Sequence, residues 1–153
     1  MKRVFLLLLT FLLFAPPAAR AAETQPITFY LQLVRGNNED KAPVPEAKPI
    51  GAKLSKKLRA VFKWQYFWEL KRDSVCLKAG EKTRRRMSSE REVEVERVTA
   101  EQTVIRIYRH GRLTLIEKQT AGAQCSVVGG EKDGDESWFI VVRRDQPLPP
   151  EKK

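Results

Sequence analysis

Residues 92–118, EVEVERVTAEQTVIRIYRHGRLTLIEK, decide the fold class of this chain. Glutamate and valine alternate from 92 to 96, which places the valines on one face of a strand and the carboxylates on the other. Two further apolar segments, 103–109 and 112–118, flank the pair His110-Gly111. That pair is typical of a two-residue hairpin link whose glycine adopts a positive φ. The stretch therefore predicts consecutive antiparallel strands.

Period-two patterns continue on both sides of this stretch. Residues 27–34 alternate, with Ile27, Phe29, Leu31 and Leu33 on one parity, and turn residues follow at 35–38. Strands are also predicted over 64–77, 83–87, 124–128 and 137–144, with residues 129–136 forming a loop before the last one. Residues 138–142, WFIVV, are apolar on both parities. This last strand should therefore be central and covered on both faces.

One short helix interrupts the strands. Residues 37–53 carry three prolines among charges and alanines, which predicts an extended, exposed connection. Leu54, Leu58, Val61 and Phe62 then follow at helical spacing, so we expect them to share the apolar face of a helix. Together these patterns predict an all-β fold, an antiparallel β-sandwich of about seven strands with one short helix. A squat barrel is the alternative architecture.

The N-terminus has the features of an export signal. Residues 1–21 combine a cationic start, a short apolar run and a final Ala-x-Ala, which is typical of a secretory signal peptide cut between Ala21 and Ala22. The expected organisation is a signal peptide over 1–21, a single domain over 22–146 and a flexible tail over 147–153. The mature chain should have no transmembrane span and should be exported, to a periplasm or to the extracellular space.

Basic residues exceed acidic ones. The whole chain has a formal charge of +10 from 29 basic and 19 acidic residues. The leader holds three of the basic residues and none of the acidic ones, which leaves +7. Such an excess favours polyanions. The sharpest cluster, Arg84, Arg85 and Arg86 with Arg91, is a candidate anion-binding site, and the alternative is a solvated strand edge that discourages aggregation.

The densest aromatic run lies at residues 62–68. Trp64, Tyr66 and Trp68 share one parity, so they form either part of the sandwich core or a platform on which sugars or bases stack. The core interpretation is favoured, because Phe67 stands alone among polar residues on the other parity.

The two cysteines, Cys76 and Cys125, are a candidate disulfide. The bridge would close a loop of about 50 residues and would be compatible with export. The alternative is two small apolar residues that never meet.

No catalytic, cofactor-binding or metal-binding residue is predicted. The single histidine, His110, falls in a hairpin turn with no nucleophile elbow nearby. One histidine and two distant cysteines do not have zinc-site spacing. Glu92, Glu94 and Glu96 should pair with cross-strand cations such as Arg106 rather than act as catalytic carboxylates.

The order of these features resembles a family of small, exported, uncharacterised bacterial envelope β-proteins. The similar elements are the first strand at 27–35, the segment 58–62, the aromatic run 66–68, and the pair Gly129-Gly130 before the last apolar strand. The resemblance implies an envelope β-protein and no particular activity. The expected function is therefore non-enzymatic binding of another envelope protein, with the 129–136 loop and the 37–53 connection as contact regions. The alternative is an accessory module that binds a carbohydrate or an anionic envelope polymer; no nucleic acid partner is expected.

Overall fold

A computed structural model describes residues 25–148 of the chain. It consists of nine strands and one helix, which confirms the all-β class. The elements are β1 (Ile27–Asn37), β2 (Lys48–Pro49), α1 (Ala52–Val61), β3 (Tyr66–Leu77), β4 (Lys82–Arg86), β5 (Arg91–Arg97), β6 (Gln102–Arg109), β7 (Arg112–Thr120), β8 (Cys125–Asp133) and β9 (Glu136–Arg143). The predicted signal peptide and most of the predicted tail lie outside the described residues.

The strands form two antiparallel sheets that stack as a sandwich. The first sheet has the order β2-β3-β1-β9-β8 and the second has the order β4-β5-β6-β7. They do not close into a barrel. The main core lies between them, because one parity of each central strand is apolar. It includes Phe29, Leu31, Leu33, Val93, Val95, Ile105, Ile107, Ile140 and Val142.

A third layer covers the outer face of the first sheet. Helix α1 buries Leu54 and Leu58 in a second apolar cluster that includes Phe139 and Val141 of β9. Strand β9 is therefore covered on both faces, as its doubly apolar sequence predicts. The predicted helix face is wrong at Val61, which is 75% exposed because α1 ends there.

Strand β1 is longer than the sequence predicts. Arg35 and Gly36 belong to the strand and pair with both β3 and β9, so the predicted turn at these residues is wrong. Three buried aromatic rings leave no room for a side chain at position 36, which explains why this residue is glycine. A Cβ at Gly36 would lie 2.8 Å from Trp64 Cδ1, 3.0 Å from Phe67 Cε1 and 3.1 Å from Phe139 Cε2.

The two hairpins differ in how well the sequence predicts them. His110 and Gly111 have φ angles of 48° and 76°, which confirms the tight link between β6 and β7. The predicted 129–136 loop is wrong. Strand β8 continues to Asp133, and the register shift between Gly129 and Glu131 is a bulge inside it. The glycines supply the positive φ that this bulge requires.

Candidate functional site

Both sheets end on one side of the sandwich, with β7 and β8 as neighbouring edges. Within residues 25–148, β7 pairs only with β6 and β8 only with β9. The backbone groups of β7 that face away from β6 are consequently not used by any described strand. We call this nine-residue strand the β7 edge.

The β7 edge carries large aliphatic side chains that are not buried. Leu113, Leu115 and Ile116 are 47%, 40% and 53% exposed. Leu115 pairs with Ile107 on the inner face of the sheet, and Ile116 pairs with Arg106 on the outer face. A bulge at Thr114 separates Leu113 from this regular alternation, and the Thr114 hydroxyl donates a 3.0 Å hydrogen bond to the Ile107 carbonyl. The apolar residues thus follow the edge on both faces.

A buried polar contact joins the two edges near the C-terminal end of β7. The Gln119 amide donates to the Ser126 hydroxyl, and this hydroxyl donates to the Glu117 carboxylate. Gln119 and Ser126 are both buried. This contact ties β7 to β8 near the C-terminal end of β7.

Beyond that contact, a cavity of about 260 Å³ opens between the sheets. Its apolar wall includes Ile107 and Leu115 from the second sheet and Val128 and Ile140 from the first. The lining at one end of the cavity is polar and consists of Arg91, Arg109, Thr114 and Trp138. We call this cavity the end cleft.

Two arginines of the end cleft are direct cross-strand partners. Arg91 of β5 pairs with Arg109 of β6. The Glu90 carboxylate forms an ion pair with each of them. It lies 3.5 Å from a terminal nitrogen of Arg91 and 3.8 Å from Arg109 Nε. Arg91 is only 7% exposed.

Trp138 completes this end of the cleft from the other sheet. The guanidinium carbon of Arg91 lies 4.5 Å from the Trp138 ring centroid, and that of Arg35 lies 5.3 Å away, within cation–π range. Arg35 also forms an ion pair with Glu136. The Trp138 indole N–H is buried and has no hydrogen-bond acceptor among the residues that the structure describes.

The structure separates Arg91 from the basic run with which the sequence grouped it. Arg91 alternates with Val93 and Val95 and so lies on the inner face of its sheet, whereas Arg84 and Arg86 lie on the outer face. The four candidate arginines therefore do not share one face of the sheet. The sequence already carries this signal, because Arg91 has the same parity as Val93 and Val95.

Arg84, Arg85 and Arg86 each face a carboxylate. Arg84 bonds to Glu92 and stacks on the Tyr108 ring at 3.6 Å. Arg86 Nε lies 3.7 Å from Glu92, and Arg85 Nε lies 3.6 Å from Asp73. Arg84 and Arg86 thus belong to a charged outer surface, whereas Arg85 has the parity of the inward-facing Val93. Binding of anions by this run stays a prediction.

The neighbouring row contains the glutamates considered for catalysis. Arg106 donates to Glu94 at 3.0 Å and to Glu96 at 2.6 Å, which confirms the predicted cross-strand pairing. The hydrogen bond to Glu96 raises the pKa of Arg106. These carboxylates therefore belong to a surface ladder of ion pairs.

The aromatic candidates do not share one face. Trp64 precedes β3 and is buried against Phe67 and the helix, while Tyr66 and Trp68 are half-buried. Phe67, predicted on the polar face, is 3% exposed because α1 covers that face. The predicted parity of the core is therefore wrong here. Tyr66 and Trp68 instead line an open groove of about 800 Å³ beside α1, together with Lys56 and Arg59.

The candidate disulfide does not form. Cys76 and Cys125 are free thiols. They lie on β3 and β8, which β1 and β9 separate, so about 14 Å of sheet lies between them at ~4.8 Å per strand. A disulfide needs Cα atoms within about 7 Å. Burial raises the pKa of the Cys125 thiol, although Arg143 nearby acts in the opposite direction.

His110 lies at the rim of this end of the sandwich. Its side chain is 63% exposed, and its Nε2 is 3.6 Å from the Glu90 carboxylate. Among the described residues, no three His, Cys, Asp or Glu side chains are grouped as metal ligands would be. No described helix has the length and apolar character to cross a bilayer.

Comparisons with protein families, curated sequences and solved structures found no related protein. No protein-family model, curated protein sequence or solved structure matches this chain.

Proposed function

We propose that this chain is an exported, non-enzymatic binding module that docks an extended segment of another envelope protein along the β7 edge. One observation carries the proposal: a nine-residue edge strand, which pairs with β6 on one side and with no described strand on the other, keeps three large aliphatic side chains at least 40% exposed. Edges of this kind pair readily with foreign strands, and most proteins shorten, charge or cover them. Export of the protein follows from the sequence pattern of residues 1–21.

The chemistry of the edge defines the partner segment. Backbone groups of an added strand supply affinity, and pockets for alternate side chains supply specificity. Arg112 and Lys118 are exposed and bracket the apolar stretch Leu113–Ile116. A complementary segment therefore has apolar residues at its centre and carboxylates on either side. The interaction should weaken at high salt, because exposed charge pairs are screened.

Site-specific photo-crosslinking in cells tests this proposal. A photoreactive residue at position 116 should join the chain to one protein, and the same residue at position 61 should not. Val61 is a suitable control, because it is an exposed aliphatic residue far from the edge in sequence and on a different element.

Matched charge substitutions measure how much the β7 edge contributes to the affinity for the partner. With the crosslinked partner purified, Ile116→Lys should weaken binding at least about tenfold, since a central aliphatic anchor is replaced by a charge. Val61→Lys should bind as the unaltered protein does. Equal binding by all three proteins, each shown to be folded by circular dichroism, would refute docking at this edge.

A second candidate function rests on the groove beside α1. Tyr66 and Trp68 line it with Lys56 and Arg59, a set of side chains suited to an acidic glycan. A Trp68→Ala variant that loses glycan binding, with the Ile116→Lys variant unaffected, would support this function over protein docking.

A further inference from the structure

We propose that helix α1 docks the protein onto an anionic lipid bilayer, with the exposed face of the helix against the head groups. This contact is separate from the proposed docking of a protein segment, which uses the β7 edge. Helix α1 packs on the outer face of the first sheet, so the second sheet lies on the far side of the first sheet from α1. A protein held through α1 therefore leaves the β7 edge open to its partner.

The charged side chains of α1 all have the same sign. The ten residues of the helix include four exposed cations and no acid, namely Lys53, Lys56, Lys57 and Arg59. None of the four forms an ion pair or a side-chain hydrogen bond within the part of the chain that the structure describes. Asp145 attracts Lys53, but the Arg143 side chain already binds that carboxylate. The positive charge of α1 is therefore available to an external anion.

The basic run of β4 differs from α1 in this respect. Arg84 and Arg86 both lie beside Glu92, and Arg85 lies beside Asp73. Carboxylates of the protein itself thus offset the charge of that run, whereas no described carboxylate pairs with the cations of α1. Of the two basic clusters, α1 is the one whose charge is left for a partner.

The placement of these cations is unfavourable for the helix itself. Lys53 lies in the first turn, where the positive end of the helix dipole repels a cation. Lys53 and Lys57 stand four residues apart and are neighbours on the helix surface, and like charges at this spacing destabilise a helix. The pair Lys56 and Arg59 repeats the conflict at a spacing of three. Anionic head groups would relieve both repulsions, so an anionic surface gives this costly arrangement a role.

The distribution of the cations favours a surface over a single bound polymer. Lys56 and Arg59 line the groove on one flank of α1. Lys53 and Lys57 line a smaller cavity on the other flank, beside Cys125 of β8. One glycan chain in the groove would contact only the first pair. A plane of head groups would meet both pairs, because lysine and arginine side chains are long enough to extend their charges past the helix.

Short side chains lie between the cations. Ala52 and Ala60 are exposed, and each stands four residues from Lys56, so both share its side of the helix. The helix backbone can therefore approach the surface closely. Each basic residue near an anionic membrane surface raises the affinity roughly fivefold, so four cations together give roughly several hundredfold.

Co-sedimentation with lipid vesicles tests the proposal. Vesicles of phosphatidylglycerol and phosphatidylcholine in equal amounts should bind the purified protein at about 0.05 M salt and release it at about 0.5 M, because salt screens the contact. Vesicles of phosphatidylcholine alone should bind it roughly a hundredfold more weakly. All variants keep the same N-terminus, so differences among them report on the substituted residues alone.

Paired substitutions on α1 locate the contact. Lys53→Gln combined with Lys57→Gln should weaken binding to the anionic vesicles at least about tenfold, at roughly fivefold for each lost charge. The pair Lys53→Arg and Lys57→Arg keeps the charge and should bind as the unaltered protein does. The matched control is Lys78→Gln with Lys82→Gln, which removes the same net charge from two exposed lysines outside α1. It should leave binding within about twofold of the unaltered protein, because these lysines lie away from the proposed contact.

Two further variants separate this contact from the other proposed surfaces. Ile116→Lys on the β7 edge and Trp68→Ala in the groove should both bind the anionic vesicles no more weakly than the unaltered protein. With every protein shown to be folded by circular dichroism, unchanged vesicle binding by the Lys53→Gln/Lys57→Gln variant would overturn the proposal. An equal loss in the Lys78→Gln/Lys82→Gln control would overturn it too. So would binding of a soluble polyanion, such as polygalacturonate, by a protein that does not bind the anionic vesicles.

Discussion

Substituting Gly36 by alanine tests the packing of the three layers. Gly36 lies in the central strand β1, with an ordinary negative φ, and faces the aromatic cluster beneath α1. The added methyl group would lie within 3.1 Å of three rings that are 5%, 3% and 1% exposed. Because these rings are packed on all sides, they cannot move apart freely.

The expected change is a loss of stability. Adding a methylene to a full core costs about 1–3 kcal/mol. Replacing glycine by alanine in an extended segment would otherwise gain about 0.5–1 kcal/mol through the unfolded chain. The free energy of unfolding should therefore fall by about 1–2 kcal/mol in Gly36→Ala.

Urea unfolding followed by far-ultraviolet circular dichroism measures this change. Gly122→Ala is the matched control, since a Cβ there meets no atom within 4 Å and the backbone is not in the left-handed region. It should be neutral or slightly stabilising. If Gly36→Ala is as stable as Gly122→Ala, the close approach of Trp64, Phe67 and Phe139 to β1 is refuted.

Three further predictions concern polar and thiol groups. Glu69 is buried and accepts hydrogen bonds from Gln32 and Arg72, so Glu69→Ala should reduce the free energy of unfolding by about 2 kcal/mol in urea titration; an unchanged midpoint would contradict this network. The Arg143 side chain lowers the pKa of Asp145 below its ordinary 3.8. The stability that this pair adds is thus present above that pH and is lost as pH falls through the lowered pKa. Since the Asp145 side chain is 42% exposed, Asp145→Asn should cost at most about 0.5 kcal/mol at pH 7, and this difference should disappear in strong acid. Both cysteines should titrate as free thiols in the purified oxidised protein. At pH 8, Cys76 should be alkylated well before Cys125, because Cys76 is exposed and burial raises the pKa of Cys125. A protein mass two units below that of the reduced chain, restored by reduction, would show a disulfide instead.

Alternation along single strands predicted much of the sandwich. The valines of β5, the apolar parity of β1 and the doubly apolar β9 depend only on which face of a strand each residue occupies. The His110-Gly111 turn was equally local, because only a few residues tolerate its backbone angles.

The failures share a non-local cause. Phe67 was assigned to a solvated face because its neighbours are polar, yet the chain folds α1 over that face. The cysteines appeared as a candidate pair because sequence spacing does not show that two strands stand between them.

The candidate site was hidden for a related reason. The apolar residues of β7 have the pattern of an ordinary buried strand, and only the sheet order shows that β7 is an edge. The end cleft likewise combines residues from β5, β6, β7, β8 and β9, which no local pattern connects. Only the inward parity of Arg91 was available in the sequence.

Amide hydrogen exchange of the protein with its crosslinked partner, purified and added in excess, tests the central claim most directly. Docking by strand addition gives new hydrogen bonds to outward-facing amides of β7. We therefore expect exchange to slow at residues 112–118 and to stay unchanged on β4, the opposite edge of the same sheet. Slower exchange confined to α1 or β4, with β7 unaffected, would contradict the account.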